Sequence, residues 1–203
     1  LMVEVGSLKI LDILANASAT IAEGEVLQLT VSQNIKTDEE TYLKVVRGKT
    51  AALFSAATQV GGQVAGASEE DCDALYEYGD ALGIAFQIID DLLDVEGNLQ
   101  ITGKNIGDDF RERKLTMPFI KAIQNSTKSE LEFWKRTIEK GNQNDQDWDT
   151  ALSLMNKYQA ITKTRQEAEM WVEQAKRALT KVPESEMRIL LSELADYVLT
   201  RSK

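Results

Sequence analysis

The chain has 203 residues, 43% of them hydrophobic, and a formal net charge of −10, with no histidine, one cysteine and two prolines. The apolar content suits one sizeable helical core rather than a disordered chain. The acidic balance argues against a nucleic-acid partner, and the missing histidines exclude Ser-His-Asp or Cys-His nucleophilic machinery and histidine-bound zinc. Cys72 cannot form an intrachain disulfide.

Residues 2–31 place Leu8, Leu11, Leu14, Ala15, Ser18, Ala22, Val26 and Leu29 mostly at helical spacing, which predicts a long amphipathic helix. Its Ala/Ser content lets another helix approach closely. Glu23, Glu25 and Gln28 interrupt it, as an exposed face or as part of a site. Residues 32–38 read as a polar loop. Thr37 is the expected N-cap of the next helix, with Glu40 completing a capping box, and that helix runs through Val46. Arg47-Gly48-Lys49-Thr50 then marks a kink, since glycine weakens a helix by roughly 1 kcal/mol. An Ala-rich apolar run over 51–60 follows, so Lys49 and Thr50 fall beside closely packed helices.

Gly61-Gly62 and Gly66 are expected to weaken or end that helix, and Ser68, with Asp71 three residues on, to cap the next. This next helix passes Leu75, Tyr78 and Leu82. Gly79 and Gly83 on one face predict tight packing. It continues into Phe86-Gln87-Ile88-Ile89-Asp90-Asp91-Leu92-Leu93-Asp94 and ends at Gly97-Asn98. Asp90 and Asp94 lie about 40° apart around the axis. Gln87 sits one turn upstream, with Asp91 as its i+4 neighbour. Apolar residues fill most of the remaining circumference, the mark of a buried helix. Unpartnered carboxylates in such a setting are costly, and a hard cation such as Mg2+ relieves them. A solvated acidic face is the competing reading.

Residues 98–114 form a polar loop longer than the usual connection, which points to function. It carries Lys104, Asp108, Asp109, Arg111, Arg113 and Lys114. Carboxylates for a metal and cations for phosphate oxygens in one window describe a magnesium–diphosphate site. Thr116-Met117-Pro118 starts another helix, with Pro118 near its first position. Helices are expected over 127–139 and 147–180, the second interrupted near 160–162, with a loop over 141–145. Val182-Pro183 breaks the chain before a last amphipathic helix over 184–200. Trp134, Trp148 and Trp171 are read as packing residues. No run of about 18 apolar residues occurs, so no transmembrane segment is expected. Together with the lone cysteine this makes a cytoplasmic setting the expectation.

The segments Gly83-Ile84-Ala85-Phe86-Gln87-Ile88-Ile89-Asp90-Asp91-Leu92-Leu93-Asp94, Gly103-Lys104-Asn105-Ile106-Gly107-Asp108-Asp109-Phe110 and Lys114-Leu115-Thr116-Met117-Pro118 resemble the second aspartate-rich region of the trans-isoprenyl diphosphate synthases, or polyprenyl synthetases. Glu23-Gly24-Glu25 with Gln28, and Lys49-Thr50, resemble further landmarks of that family in the same order. The resemblance implies an all-α isoprenoid-synthase bundle around a central cavity, a homodimer, and condensation of isopentenyl diphosphate with an allylic diphosphate. It implies Asp90 as a ligand of Mg2+, with Mn2+ an alternative, and Asp91 and Asp94 as further ligands or as residues that orient its waters. Lys49, Lys104 and Lys114 would hold the allylic diphosphate, Thr50 and Gln87 would lie near the carbocation, and Asp109, with Asp108 beside it, would orient Lys104 or metal-bound water.

The loop and the carboxy-terminal part are most similar to the long-chain members that make quinone side chains (octaprenyl and decaprenyl synthases). A shorter-chain farnesyl or geranylgeranyl synthase and a non-catalytic helical subunit of a heterodimeric synthase are the alternatives. The family's first aspartate-rich motif is not found. Residues 1–203 are therefore read as a single helical domain, incomplete at its N-terminal side, that alone would expose apolar surface and complete only half a site.

Overall fold

The computed structural model describes residues 6–96 and 106–201, and all regular structure among them is helical. The first helix, α1, spans Leu8–Val31 and is capped by the Ser7 hydroxyl. It buries Ile10, Ala17 and Gly24 against the rest of the chain. Most of the predicted apolar stripe faces the other way: Leu8 is 83% exposed, Val26 60% and Leu29 75%. The inward face is chosen by close approach, not by apolar content. A Cβ on Gly24 would lie 2.5 Å from the Lys49 nitrogen, and one on Gly48 would lie 2.9 Å from the Gly24 Cα. Only a glycine-on-glycine crossing permits this contact.

Helix α2 is Glu39–Val46. Its N-cap is Asp38, whose carboxylate accepts from the Thr41 amide at 2.8 Å, and not Thr37 as expected. Thr37 instead turns its hydroxyl to the Val31 carbonyl and closes the preceding loop. The kink expected at Gly48 is a π-helical turn over Arg47–Ala51, with the Ala52 amide bonded to the Arg47 carbonyl. Such a turn inserts one residue into the helical ladder and re-aims the side chains it carries, here Lys49 and Thr50. The rod continues as α3, Ala52–Val64, through Gly61-Gly62, and stops at Gly66.

Helix α4, Glu69–Glu96, is the axis of the bundle, with Ser68 accepting from the Asp71 amide at its start. Fourteen of its residues are buried, among them Ile84, Ile88, Ile89, Asp91 and Leu92. The expected close packing at Gly79 and Gly83 is against α3 and the π-helical turn before it, where added Cβ atoms would come within 2.6 Å of Ser55 and Ala51 respectively. The predicted end at Gly97-Asn98 lies outside the described residues, as do residues 98–105 of the expected loop.

The described remainder of that loop contains a short helix, α5 (Asp108–Arg111), entered through Gly107 at φ +79°. Phe110, 2% exposed, pins α5 between Phe119 and Trp148. Helix α6 is Met117–Gln124, with Pro118 in its first turn as expected. Helix α7, Lys128–Trp134, opens on a Thr127/Glu130 capping box and runs into a π-helical turn, Lys135–Glu139. The expected 147–180 helix is two, α8 (Asp147–Lys157) and α9 (Ala160–Leu179). They part at Gln159, with φ +54°, slightly before the predicted break. The last helix, α10, is Glu186–Thr200, capped by Ser185.

Two apolar clusters result. One wraps α4 with residues of α2, α6, α9 and α10. The other gathers Phe110, Phe119, Trp134, Ile138 and Met155, and supports α5. Trp134 is fully buried, while Trp148 and Trp171 pack partly buried against these clusters.

Gly24→Ala is expected to lower unfolding free energy by roughly 1–3 kcal/mol, the usual cost of forcing atoms into a filled contact, as read by chemical denaturation. Gly61→Ala in α3 is the control, since its added Cβ meets nothing within 4 Å and should leave stability unchanged or raise it.

Candidate diphosphate and metal site

The π-helical turn and α4 face each other across a pocket of about 290 Å³, lined by Gln28, Tyr42, Lys49, Thr50, Gln87, Asp90, Asp91, Asp109, Lys114 and Thr116, among others. Seven of the site residues expected from the sequence therefore line one pocket, Lys49, Thr50, Gln87, Asp90, Asp91, Asp109 and Lys114, together with Gln28.

The three aspartates of the α4 motif have separate surroundings. Asp91 is 3% exposed. One of its oxygens accepts from the Tyr42 hydroxyl at 2.5 Å, and the other from Gln87 Nε2 at 2.9 Å. The Met117 amide, at the first turn of α6, also favours its charged form. Burial nonetheless pushes its carboxyl up to about 7, against those hydrogen bonds. Burial and the neighbouring Asp91 carboxylate together hold the Tyr42 hydroxyl protonated.

Asp94 does a different job. Its two oxygens accept from the Asp108 amide at 3.1 Å and the Asp109 amide at 3.2 Å, and its own carbonyl accepts from Gly107 at 2.8 Å. It is thus the anion at the amide end of α5. Burial, and then Asp109, push its carboxyl up to about 6. Asp90 lies on the pocket wall with 39% of its side chain exposed, and the Arg201 guanidinium is 3.6 Å from it.

The cations are arranged around this wall. Lys49 Nζ donates to Gln28 Oε1 at 2.8 Å and pairs with Glu25 at 3.3 Å. Lys114 pairs with Glu112 at 2.5 Å and Asp109 at 3.4 Å. Burial raises the Asp109 carboxyl, with Lys114 opposing that shift. Asp108 turns outward to Arg111 at 2.8 Å. Glu23 is exposed. Lys104 lies outside the described residues.

Two residues at the site were not singled out from the sequence. Tyr42 has no local signal, because its partner is far along the chain. Arg201 lies over the Phe86 ring at 3.9 Å, and only its basic character could have drawn attention.

The donor set fits a hard divalent cation. Its wall presents the carboxylates of Asp90 and Asp109, oxygen donors of the kind such a cation takes, whereas both oxygens of Asp91 and of Asp94 already accept hydrogen bonds. Among the described residues no three carboxylates surround one point. Asp90 and Asp109 could therefore supply part of a coordination shell that water or a bound anion would complete, the arrangement Mg2+ ordinarily takes.

Helical architecture and site together define a protein of the isoprenoid-synthase type. Residues 1–155 match the polyprenyl synthetase family profile, and the chain belongs to that family. It is 39% identical over 203 residues to the octaprenyl diphosphate synthase of Escherichia coli, covering 100% of this chain and 62% of that protein. A decaprenyl diphosphate synthase structure from Rhodobacter capsulatus superposes with a TM-score of 0.94 at 56% identity, over 100% of this chain and 62% of that one. A polyprenyl synthase from Caulobacter crescentus, solved with calcium and isoprenyl diphosphate, gives a TM-score of 0.94 at 43% identity, over 100% and 62% of the two chains. The chain thus spans about three fifths of the length of these relatives. No helix among the described residues is long and apolar enough to cross a membrane.

Asp94→Ala removes the acceptor for two α5 amides. Hydrogen exchange at Asp108 and Asp109 should speed up by about tenfold or more, while exchange at the buried centre of α4 stays as in the parent.

Proposed function

We propose that this chain forms the allylic diphosphate half of a long-chain trans-polyprenyl diphosphate synthase, making an all-trans polyprenyl diphosphate of the kind used as a quinone side chain. The observation that carries the proposal is that one pocket is lined by Lys49, Lys114, Asp90, Thr50 and Gln87 together. The relatives' octaprenyl and decaprenyl activities support the long-chain reading, and the calcium and isoprenyl diphosphate bound by the Caulobacter protein support the metal and the ligand class.

In this reading the allylic C–O bond breaks and the diphosphate leaves with the bonding pair. The double bond of isopentenyl diphosphate attacks the allylic cation, a C–C bond forms, and a proton is lost to the diphosphate. That destination for the proton suits a chain without histidine. Negative charge builds on the departing group, so preorganised cations aimed at it lower the barrier. Lys49 and Lys114 hold the diphosphate, with Lys104 assigned the same role from the sequence alone. Asp90 holds Mg2+, or Mn2+ in its place, while Asp91 and Asp94 stand behind it and Asp109 orients Lys114. When bound, the metal neutralises diphosphate charge. Thr50 and Gln87 turn oxygen atoms toward the cationic carbon.

The outward stripe of α1, with Leu8, Val26 and Leu29 exposed, supports a protein partner over that face, and a second copy in a homodimer is the partner we propose.

The test is elongation of farnesyl diphosphate with radiolabelled isopentenyl diphosphate by the full protein carrying this chain, with Mg2+. Products longer than geranylgeranyl diphosphate are expected, and absence of any elongation would contradict the reading. Asp90→Ala should reduce turnover by about a hundredfold or more, in line with loss of a metal ligand or of a comparable electrostatic group. Near-normal turnover would remove Asp90 from the metal site.

A further inference from the structure

An amide side chain is ambiguous at a catalytic site. Its carbonyl oxygen stabilises a nearby cation, and its NH2 group repels one. Which pole faces the reacting carbon depends on what holds the other. At Gln87 both poles have assigned partners. Its Nε2 donates to Asp91 Oδ1 at 2.9 Å, and its Oε1 accepts from the Thr50 hydroxyl at 3.0 Å. Turning the amide over would set Oε1 against the Asp91 carboxylate, acceptor against acceptor.

Asp91 can enforce this only if it is itself held. Its second oxygen accepts from the Tyr42 hydroxyl at 2.5 Å. Tyr42 is 6% exposed, so no water competes readily for that bond. The layout is a ladder. Tyr42 and Thr50 belong to one continuous rod, α2 and its π-helical turn, and Asp91 and Gln87 belong to α4. Two rungs tie the same pair of elements: Tyr42 to Asp91, and Thr50 to Gln87.

We propose that Tyr42 is a positioning residue for the prenyl-transfer step, acting through Asp91 to keep the Gln87 carbonyl, and not its NH2 group, turned toward the Thr50 side of the pocket. Tyr42 itself touches no reacting atom. Its contribution appears when positive charge develops on the allylic carbon, so it belongs to turnover and not to diphosphate binding. This inference rests on the prenyl-transfer reading above.

The test uses the full protein carrying this chain and compares the parent, Tyr42→Phe, Gln87→Ala and the double variant at saturating Mg2+. Tyr42→Phe keeps the ring and removes one buried donor. Its kcat should fall about tenfold, the size expected for loss of one hydrogen bond to a buried charged group, with KM for the allylic diphosphate within about twofold of the parent. The double variant should be no slower than Gln87→Ala alone, because the relay has nothing left to orient. A purely structural role would instead multiply the two effects and lower kcat in step with the melting temperature.

Asp91→Asn is the second variant, in case Tyr42→Phe folds poorly. Its amide can donate as well as accept, so Gln87 is free to turn, and it should give the same loss of kcat with an unchanged Mg2+ requirement. Parent-like kcat in Tyr42→Phe, or multiplicative losses in the double variant, overturns the inference while the parent's activity stands. A parent protein that elongates nothing overturns the prenyl-transfer reading and this inference with it.

Discussion

The burial of Asp91 is the constraint from which the site is built. A carboxylate only 3% exposed is tolerated because two donors reach it, Tyr42 from α2 and Gln87 from its own helix, while the amide of Met117 at the start of α6 favours its charged form. Losing either donor would leave a buried acceptor short of a partner. Satisfying this one group therefore ties α2 to α4. That placement brings Lys49 and Thr50 to the pocket.

The neighbouring carboxylates use the same helix differently. Asp94 anchors the amides of α5 and so places Asp109, which holds Lys114. Asp90 lies on the wall of the pocket, where an oxygen ligand is useful. One short motif thus divides into a group buried between helices, a group that carries the adjoining loop, and a group on the pocket wall. The Gly24–Gly48 crossing completes the geometry, because it lets α1 bring Gln28 and Glu25 onto Lys49.

Much of this was legible in the sequence. The buried character of α4, the cap at Ser68, the interruption at Gly48 and the gathering of carboxylates and lysines all follow from periodicity and residue chemistry, and the family follows from the motifs. What was not legible depends on distance or on competition. Tyr42 and Asp91 meet across a long stretch of chain, and nothing local marks the tyrosine. The inward face of α1 is not legible, because an apolar stripe does not say what covers it and the decisive residue, Gly24, contributes no side chain. Thr37 and Asp38 are both good caps. Asp38 takes the helix because Thr37 is bonded to Val31. Nor does the spacing of Asp90, Asp91 and Asp94 along the helix show that backbone amides of the following loop claim Asp94.

The central claim is that this pocket binds an allylic diphosphate through a divalent cation held at Asp90 and through the surrounding lysines. Titration calorimetry of the full protein with an allylic thiolodiphosphate, which resists ionisation, tests it most directly. The account predicts tight binding with Mg2+ and its loss on chelation or in Asp90→Asn. Equal affinity with and without the metal would contradict it.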